Sequence, residues 1–489
     1  MSPKDRTAAL LLAVTTFLVF WIQNTSGKII AWLDMTFYFL PFRMLTSSLL
    51  KAGELPLWNP YIYCGQPLMA NMQSAVYYPL NAFYYVLEPA LAVRFATFFT
   101  YFIMSFSSYM FARRNKLSGA SSFLFACLYS FTYYMTIKAV ELADLAVMAW
   151  LPAVMYFIKK YSESKRPADL FFCAAALALS FLGGHPQVFL YAAMLAVAYF
   201  FFCCGFKPGT LSLVAVAAFA LTAAQLLPTA EFAALSRRAT PGGLGPYNGA
   251  AGGMSLSHIL QAIFPFTGIY METSVRFMNW MALIDIGILS LALMIFGIAG
   301  KSGGKERMFF LAVFTAAFIM SLLPSTPVYA LLYEKTGLLR GIRYASKVNL
   351  LMLLAMCWFA AFGLEKFLNE AKENAVRLTA AFGVFCVSLV AVYAGLGIFK
   401  TVILRAYRVN FAPQISLEDF VEKAYYYEEF RSYFLFYIII AVACFLALYI
   451  AASGRLKRKA SAVMLVIAAL FSGLAFNRGS FDLHAPISY

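Results

Sequence analysis

Apolar stretches long enough to cross a bilayer recur from one end of the chain to the other. They run roughly over 7–23, 93–112, 119–137, 145–158, 168–183, 187–204, 209–228, 281–299, 308–323, 348–364, 378–399, 432–453 and 460–476. A helix of about 20 apolar residues spans the hydrocarbon core. The pattern predicts an all-α polytopic membrane protein, a bundle of about thirteen transmembrane helices, as one domain over residues 1–489. No small-residue cleavage site follows the first stretch, so it is read as a retained helix rather than a signal peptide.

The connections between these stretches alternate in kind. One set is short and basic: KDR near the start, RRNK at 113–116, KKYSESKR at 159–166, Lys207, KSGGKER at 301–307, EKFLNEAKENAVR at 365–377 and RLKRK at 455–459. The positive-inside rule places these in the cytoplasm, with the amino terminus inside and the carboxyl terminus outside. The other set is long, over 24–92, 229–280, 324–347 and 400–431, and holds the polar residues of chemical interest. The expectation is structural loops inside and a working surface outside.

Composition agrees with a membrane protein. Hydrophobic residues make up 62% and charged residues 12% of the 489, against roughly 25% charged in soluble domains. The net charge of +16 is scattered through loops without basic runs interleaved with aromatics, which argues against a nucleic-acid partner. The eight cysteines show no CxxC and no metal spacing; Cys64 alone sits in an extended loop, and no disulfide framework is implied.

The first long connection carries the densest chemistry. Asp34 stands about ten residues after the first span and has two readings: a helix cap for Met35 to Leu50, or a general base made more basic by partial desolvation at the membrane edge. Phe39, Phe42, Leu45, Leu49 and Leu50, with Arg43 and Lys51 interspersed, suit a helix lying flat in the interface. WNPYIYCGQPLMANMQ follows, and its Trp58, Asn59, Tyr61 and Gln73 are residue types that stack on and hydrogen-bond to sugars; interfacial anchoring is the plainer reading.

Further along, Lys138, Glu141 and Asp144 share the turn KAVELAD. Glu141 is expected to be solvated, whereas Asp144 is open to a sugar or metal role. His185 and Gln187 in FLGGHPQ flank a proline after two glycines, at a helix break that points polar groups into a cavity. Glu231 in QLLPTAEF, with Gln225 before it, is a second candidate for acid–base or metal work. Arg340, Arg343 and Lys347 in LLRGIRYASKVNLL fall on one face if the segment is helical, suiting a phosphate whose lipid tail lies in the bilayer; headgroup anchoring is the alternative. PGGLGPYNGAAGG at 241–253 is a candidate lid.

Asp34, KAGELPLWNPYIYCGQPL, QSAVYYPLNAFY, GGHPQ and LRGIRYASK together resemble the YfhO family of bacterial membrane proteins, in the GT-C superfamily of multi-spanning glycosyltransferases. The resemblance covers nearly the whole chain in order. It implies a GT-C-like bundle in the bacterial inner (cytoplasmic) membrane that acts as a hexosyltransferase, moving a sugar from a polyprenyl-phosphate carrier to a cell-envelope glycan or glycolipid with inversion. Asp34, with Glu231 as second acid, would be catalytic. Arg340, Arg343, Lys347 and His185 would hold the donor phosphate; Trp58, Asn59, Tyr61, Gln73, Gln187 and Asp144 would contact sugar or acceptor. The chemistry requires no cofactor, but leaves room for a divalent cation held by Asp34 and Glu231. The carboxyl-terminal external domain of longer relatives is expected to be absent. A flippase of lipid-linked sugar and a non-catalytic envelope-assembly protein are the rival readings.

Overall fold

The computed structural model describes residues 3–20, 29–30, 34–235, 253–254, 256–264, 284–300, 304–336, 342, 344–369, 372–398, 400, 417–475 and 484–485. Its helices in chain order are α1 (Pro3–Val19), α2 (Leu40–Lys51, entered through a π turn at Met35–Phe39), α3 (Ala82–Val86), α4 (Pro89–Arg114), α5 (Gly119–Phe131), α6 (Tyr133–Ile137) and α7 (Leu142–Ser164). There follow α8 (Pro167–Leu182), α9 (Pro186–Cys204), α10 (Pro208–Ala234), α11 (Leu256–Ile263), α12 (Ile288–Ala299) and α13 (Gly304–Leu322). The remainder are α14 (Pro327–Thr336), α15 (Asn349–Asn369), α16 (Lys372–Ile398), α17 (Leu417–Ser453) and α18 (Arg458–Leu474).

Over its described residues each apolar stretch of the sequence contains a helix, two of them in 119–137, without these amounting to the thirteen bilayer crossings expected. Among the described residues, 7 helices are long and apolar enough to cross a membrane, or up to 8 when α5 and the segment Tyr133–Val140, bent by 43° at Thr132, count as one span. Proline opens α4, α8, α9 and α10, where its missing N–H costs nothing.

The bundle is organised around its two most enclosed spans. Burial covers 83% of the window in the span ending in α15 and 72% in α7, against 17% in α10 and α16, which face outward. Trp358 of α15 stacks on Phe310 at 4.6 Å and packs against Phe111 and Phe125, an aromatic centre that fixes α4, α5, α13 and α15 together. Gly297 and Gly363 let α12 and α15 touch backbone to backbone: a Cβ on either would strike the carbonyl of Phe359 or Leu293.

The first long connection is ordered over 34–88 and packs against the bundle. Trp58–Asn59 pairs antiparallel with Gln66–Pro67, and Gly65, at φ +102°, lies under the Trp58 ring where a side chain would collide. The helix expected from Met35 to Leu50 is present, but Arg43 is not on a solvated face: it is 2% exposed. A second small pairing joins Ile29–Ile30 to His484–Ala485. The candidate lid lies outside the described residues except for its last position, Gly253.

Candidate functional site

Five ionisable side chains from three separate parts of the chain meet at one end of the bundle. The turn before α7 supplies Lys138 and Glu141, the first turn of α7 supplies Asp144, the entry to α9 supplies His185, and the short 3-10 turn Ala345–Val348 before α15 supplies Lys347.

Asp144 is the hub. Its Oδ2 accepts from Lys347 Nζ at 2.6 Å and from Lys138 Nζ at 3.1 Å, and its Oδ1 lies 3.3 Å from His185 Nε2. Lys138 also pairs with Glu141, whose Oε2 is 3.8 Å from Lys347 Nζ. The Lys138 ammonium lies over the Tyr134 ring, 5.5 Å from its centroid. Two ammoniums thus face two carboxylates with almost no exposure, the condition under which each charge must be matched or costs several kcal/mol.

The expectation of a solvated Glu141 is corrected. Glu141 is 4% exposed, and burial pushes its carboxyl above the usual range, against the pull of the Lys138 ammonium. The sequence held a usable signal: residues 138, 141 and 144 are three apart and so share a face within an otherwise apolar segment.

His185 is oriented from both sides of its ring. Nδ1 accepts the Val188 N–H at 3.2 Å and caps α9. A neutral ring therefore carries its proton on Nε2, the atom facing Asp144 Oδ1. Lys347 Nζ lies 3.2 Å from the same Nε2, so both groups are drawn to the one carboxylate.

The two glycines before His185 are steric requirements. A side chain on Gly183 would meet the backbone of Ala146 and Val147 in α7. Gly184, at φ +106°, would place one 2.6 Å from Met72 O. Their absence lets the His185 turn nest between α7 and the first long connection. Gln187 Nε2 donates to Tyr344 O at 3.4 Å, tying α9 to the segment that delivers Lys347.

The first connection is braced internally at one point and tied to α10 at two. Arg43 donates to Gln73 O at 3.1 Å. Gln225 donates to Met69 O and Thr229 to Ala70 O, at 3.0 and 2.9 Å. Sequence reasoning gave Arg43 and Thr229 no part in the site; their contribution depends on which backbone carbonyls the fold brings near.

Not every candidate joins the cluster. Asp34 is exposed at the start of the π turn, and its side chain makes no cap hydrogen bond. Glu231 is exposed in the last turn of α10. Trp58 and Tyr61 are 53% and 81% exposed on the first connection. Asn59 is buried, accepting from the Tyr61 N–H, and Gln73 is half-buried. Arg340 and Arg343 lie outside the described residues. Tyr344 takes the left-handed conformation at φ +53°, so the 3-10 turn that carries Lys347 starts afresh there. Among the described residues no group of three or more His, Cys, Asp or Glu has metal-binding geometry.

The fold and site define a multi-pass membrane protein with a buried charge cluster beneath an ordered connection. No family model and no curated protein matches the chain. Among solved structures it is similar to ArnT from Cupriavidus metallidurans in the apo state. The TM-score is 0.50 at 12% identity, covering 97% of this chain and 78% of that one. It is also similar to ArnT from the same organism bound to undecaprenyl phosphate, with TM-score 0.49 and 10% identity over 96% and 77% of the two chains. At such identity the apo likeness is one of fold: an ArnT-like bundle.

Proposed function

We propose that this chain is a membrane glycosyltransferase of the GT-C class, related to the YfhO family, which moves a sugar from a polyprenyl-phosphate donor to a cell-envelope acceptor. The observation that carries the reading is the meeting of Lys347 and His185 at Asp144, beneath a connection rich in residue types that suit sugar binding. The ArnT-like fold supports it, ArnT being a GT-C glycosyltransferase.

The reaction is a single displacement. Asp34 takes the proton of the acceptor hydroxyl, whose oxygen bonds to the anomeric carbon as the bond from that carbon to the phosphate oxygen breaks. The bonding pair leaves with the phosphate, and configuration inverts. Lys347, His185, Arg340 and Arg343 offset the charge that develops on the leaving group. Asp144 is a positioning residue: 1% exposed, it holds Lys347 and His185 rather than touching sugar. Trp58, Tyr61, Gln73 and Gln187 form the sugar-facing rim, with Asn59 buried beneath it and holding the Tyr61 backbone, and Glu231 is the second acid. No step requires a metal; Asp34 and Glu231 are the exposed carboxylates available to a divalent cation. The protein sits in the bacterial inner membrane with this end outward.

The test is a transfer and donor-hydrolysis assay with the purified full chain and a panel of polyprenyl-phosphate hexoses. In detergent no barrier exists to be crossed, so a flippase gives no covalent product. Sugar transfer from any member supports the reading; binding of donors without turnover, joined by scrambling of lipid-linked sugar in vesicles, would overturn it in favour of transport.

A further inference from the structure

Lys347 is the cation that the proposed reaction offers to the donor phosphate, yet its ammonium is already engaged. Nζ lies 2.6 Å from Asp144 Oδ2 and 3.8 Å from Glu141 Oε2. A phosphate that approaches Lys347 therefore approaches two carboxylates as well. Like charges this close, in a poorly hydrated place, repel strongly. Taking up one proton removes half of the opposing carboxylate charge without moving a side chain.

The geometry decides where that proton goes. Asp144 is held by Lys347, Lys138 and His185, all within 3.3 Å, so protonating it would break the hub. His185 has both ring nitrogens committed: Nδ1 accepts the Val188 N–H and Nε2 faces Asp144. An imidazolium forms there only by giving up the cap of α9. Tyr134 on α6, whose ring lies against Lys138, is a phenol that already carries its proton.

Glu141 is left. Its close cation is Lys138, which Asp144 also holds. Once protonated, Glu141 can donate to the neighbouring Asp144 carboxylate, and Lys138 stays paired with Asp144. Burial already favours the neutral form of Glu141.

We propose that binding of the donor phosphate draws one proton from solvent onto Glu141, which frees Lys347 to share its charge between Asp144 and the phosphate. Glu141 is thus a positioning residue that acts through Lys347 and makes donor binding proton-linked. The inference rests on the transferase reading, in which Lys347 meets the phosphate. Linkage sets the sign: a ligand that binds together with a proton binds more weakly as pH rises.

The probe is a polyprenyl methyl phosphate, a diester whose single charge does not titrate near neutral pH. Calorimetric titration of the purified full chain, in two buffers of unlike ionisation enthalpy, counts the protons taken up per lipid bound. Uptake approaching about one proton is expected, with affinity falling by up to about tenfold per pH unit above neutrality. An infrared difference spectrum should gain the carbonyl band of a protonated carboxyl. Glu141→Gln offers an amide N–H to Asp144 in place of the proton. It should bind without proton uptake, with a flat pH profile, and more tightly than the wild type at high pH. If the variant does not fold, the wild-type proton count and carboxyl band decide. Wild-type binding without proton uptake ends the proposal and leaves the transferase reading standing, as does uptake that persists in Glu141→Gln. Failure of the wild type to bind the lipid phosphate at any pH removes both.

Discussion

Lys347 Nζ lies 2.6 Å from Asp144 Oδ2, although 203 residues separate the two in the chain. The bond joins the outset of the two most buried spans. Asp144→Asn should therefore destabilise the protein by about 3–5 kcal/mol, the usual cost of removing one member of a buried pair. Lys347→Met should cost a similar amount, and the double variant less than the sum. Thermal melts of the four proteins in one detergent give the coupling directly; additive losses would show that the pair does not act as a unit.

Gly184 should not tolerate a methyl group. Its φ of +106° and the Met72 carbonyl both oppose a Cβ, and the combined strain is expected to cost about 1–3 kcal/mol or more. Gly53→Ala is the control, because Gly53 has φ +78° with nothing within 4 Å. A larger loss of melting temperature at 184 than at 53 isolates the contact with the first connection from the backbone strain.

Asp34→Asn separates catalysis from capping. The carboxylate is exposed and makes no cap hydrogen bond, so folding should be unchanged. As the general base its loss should slow transfer by roughly 10²-fold or more. Normal turnover would remove the assignment. If Glu231→Gln alone stops transfer, the two acids exchange roles.

Arg340→Ala and Arg343→Ala should each weaken donor binding by about 1.5–3 kcal/mol as charge-assisted partners of the phosphate. Lysine at either place should recover part of that, because an ammonium lacks the bidentate fork. Titration with a donor analogue checks this, and unchanged affinity in both alanine variants removes the arginines from the phosphate site.

Cys64 offers a test of orientation without mutagenesis. It is the exposed cysteine of the eight; the rest are buried or half-buried. A membrane-impermeant maleimide should label it in intact spheroplasts. Labelling only after the membrane is opened would put the first connection, and the proposed site with it, on the cytoplasmic side.

The sequence by itself determined a multi-pass helical membrane protein, though not its number of spans, because about 20 consecutive apolar residues have few stable states other than a bilayer-crossing or deeply buried helix. It also marked Asp144, His185 and Lys347 individually, since polar groups at the ends of apolar helices stand out against their neighbours. Tertiary structure decided which of them meet. Lys347 reaches Asp144 and His185 because the 3-10 turn before α15 packs on α9, which packs against α7, while Trp358 and the glycines at 297 and 363 seat α15 in the bundle through contacts that no local pattern encodes. The same packing buried Glu141 and Arg43, which local reading places in water. Hydropathy sees one residue and its chain neighbours; the charge state and partners of a buried group depend on surfaces hundreds of residues away.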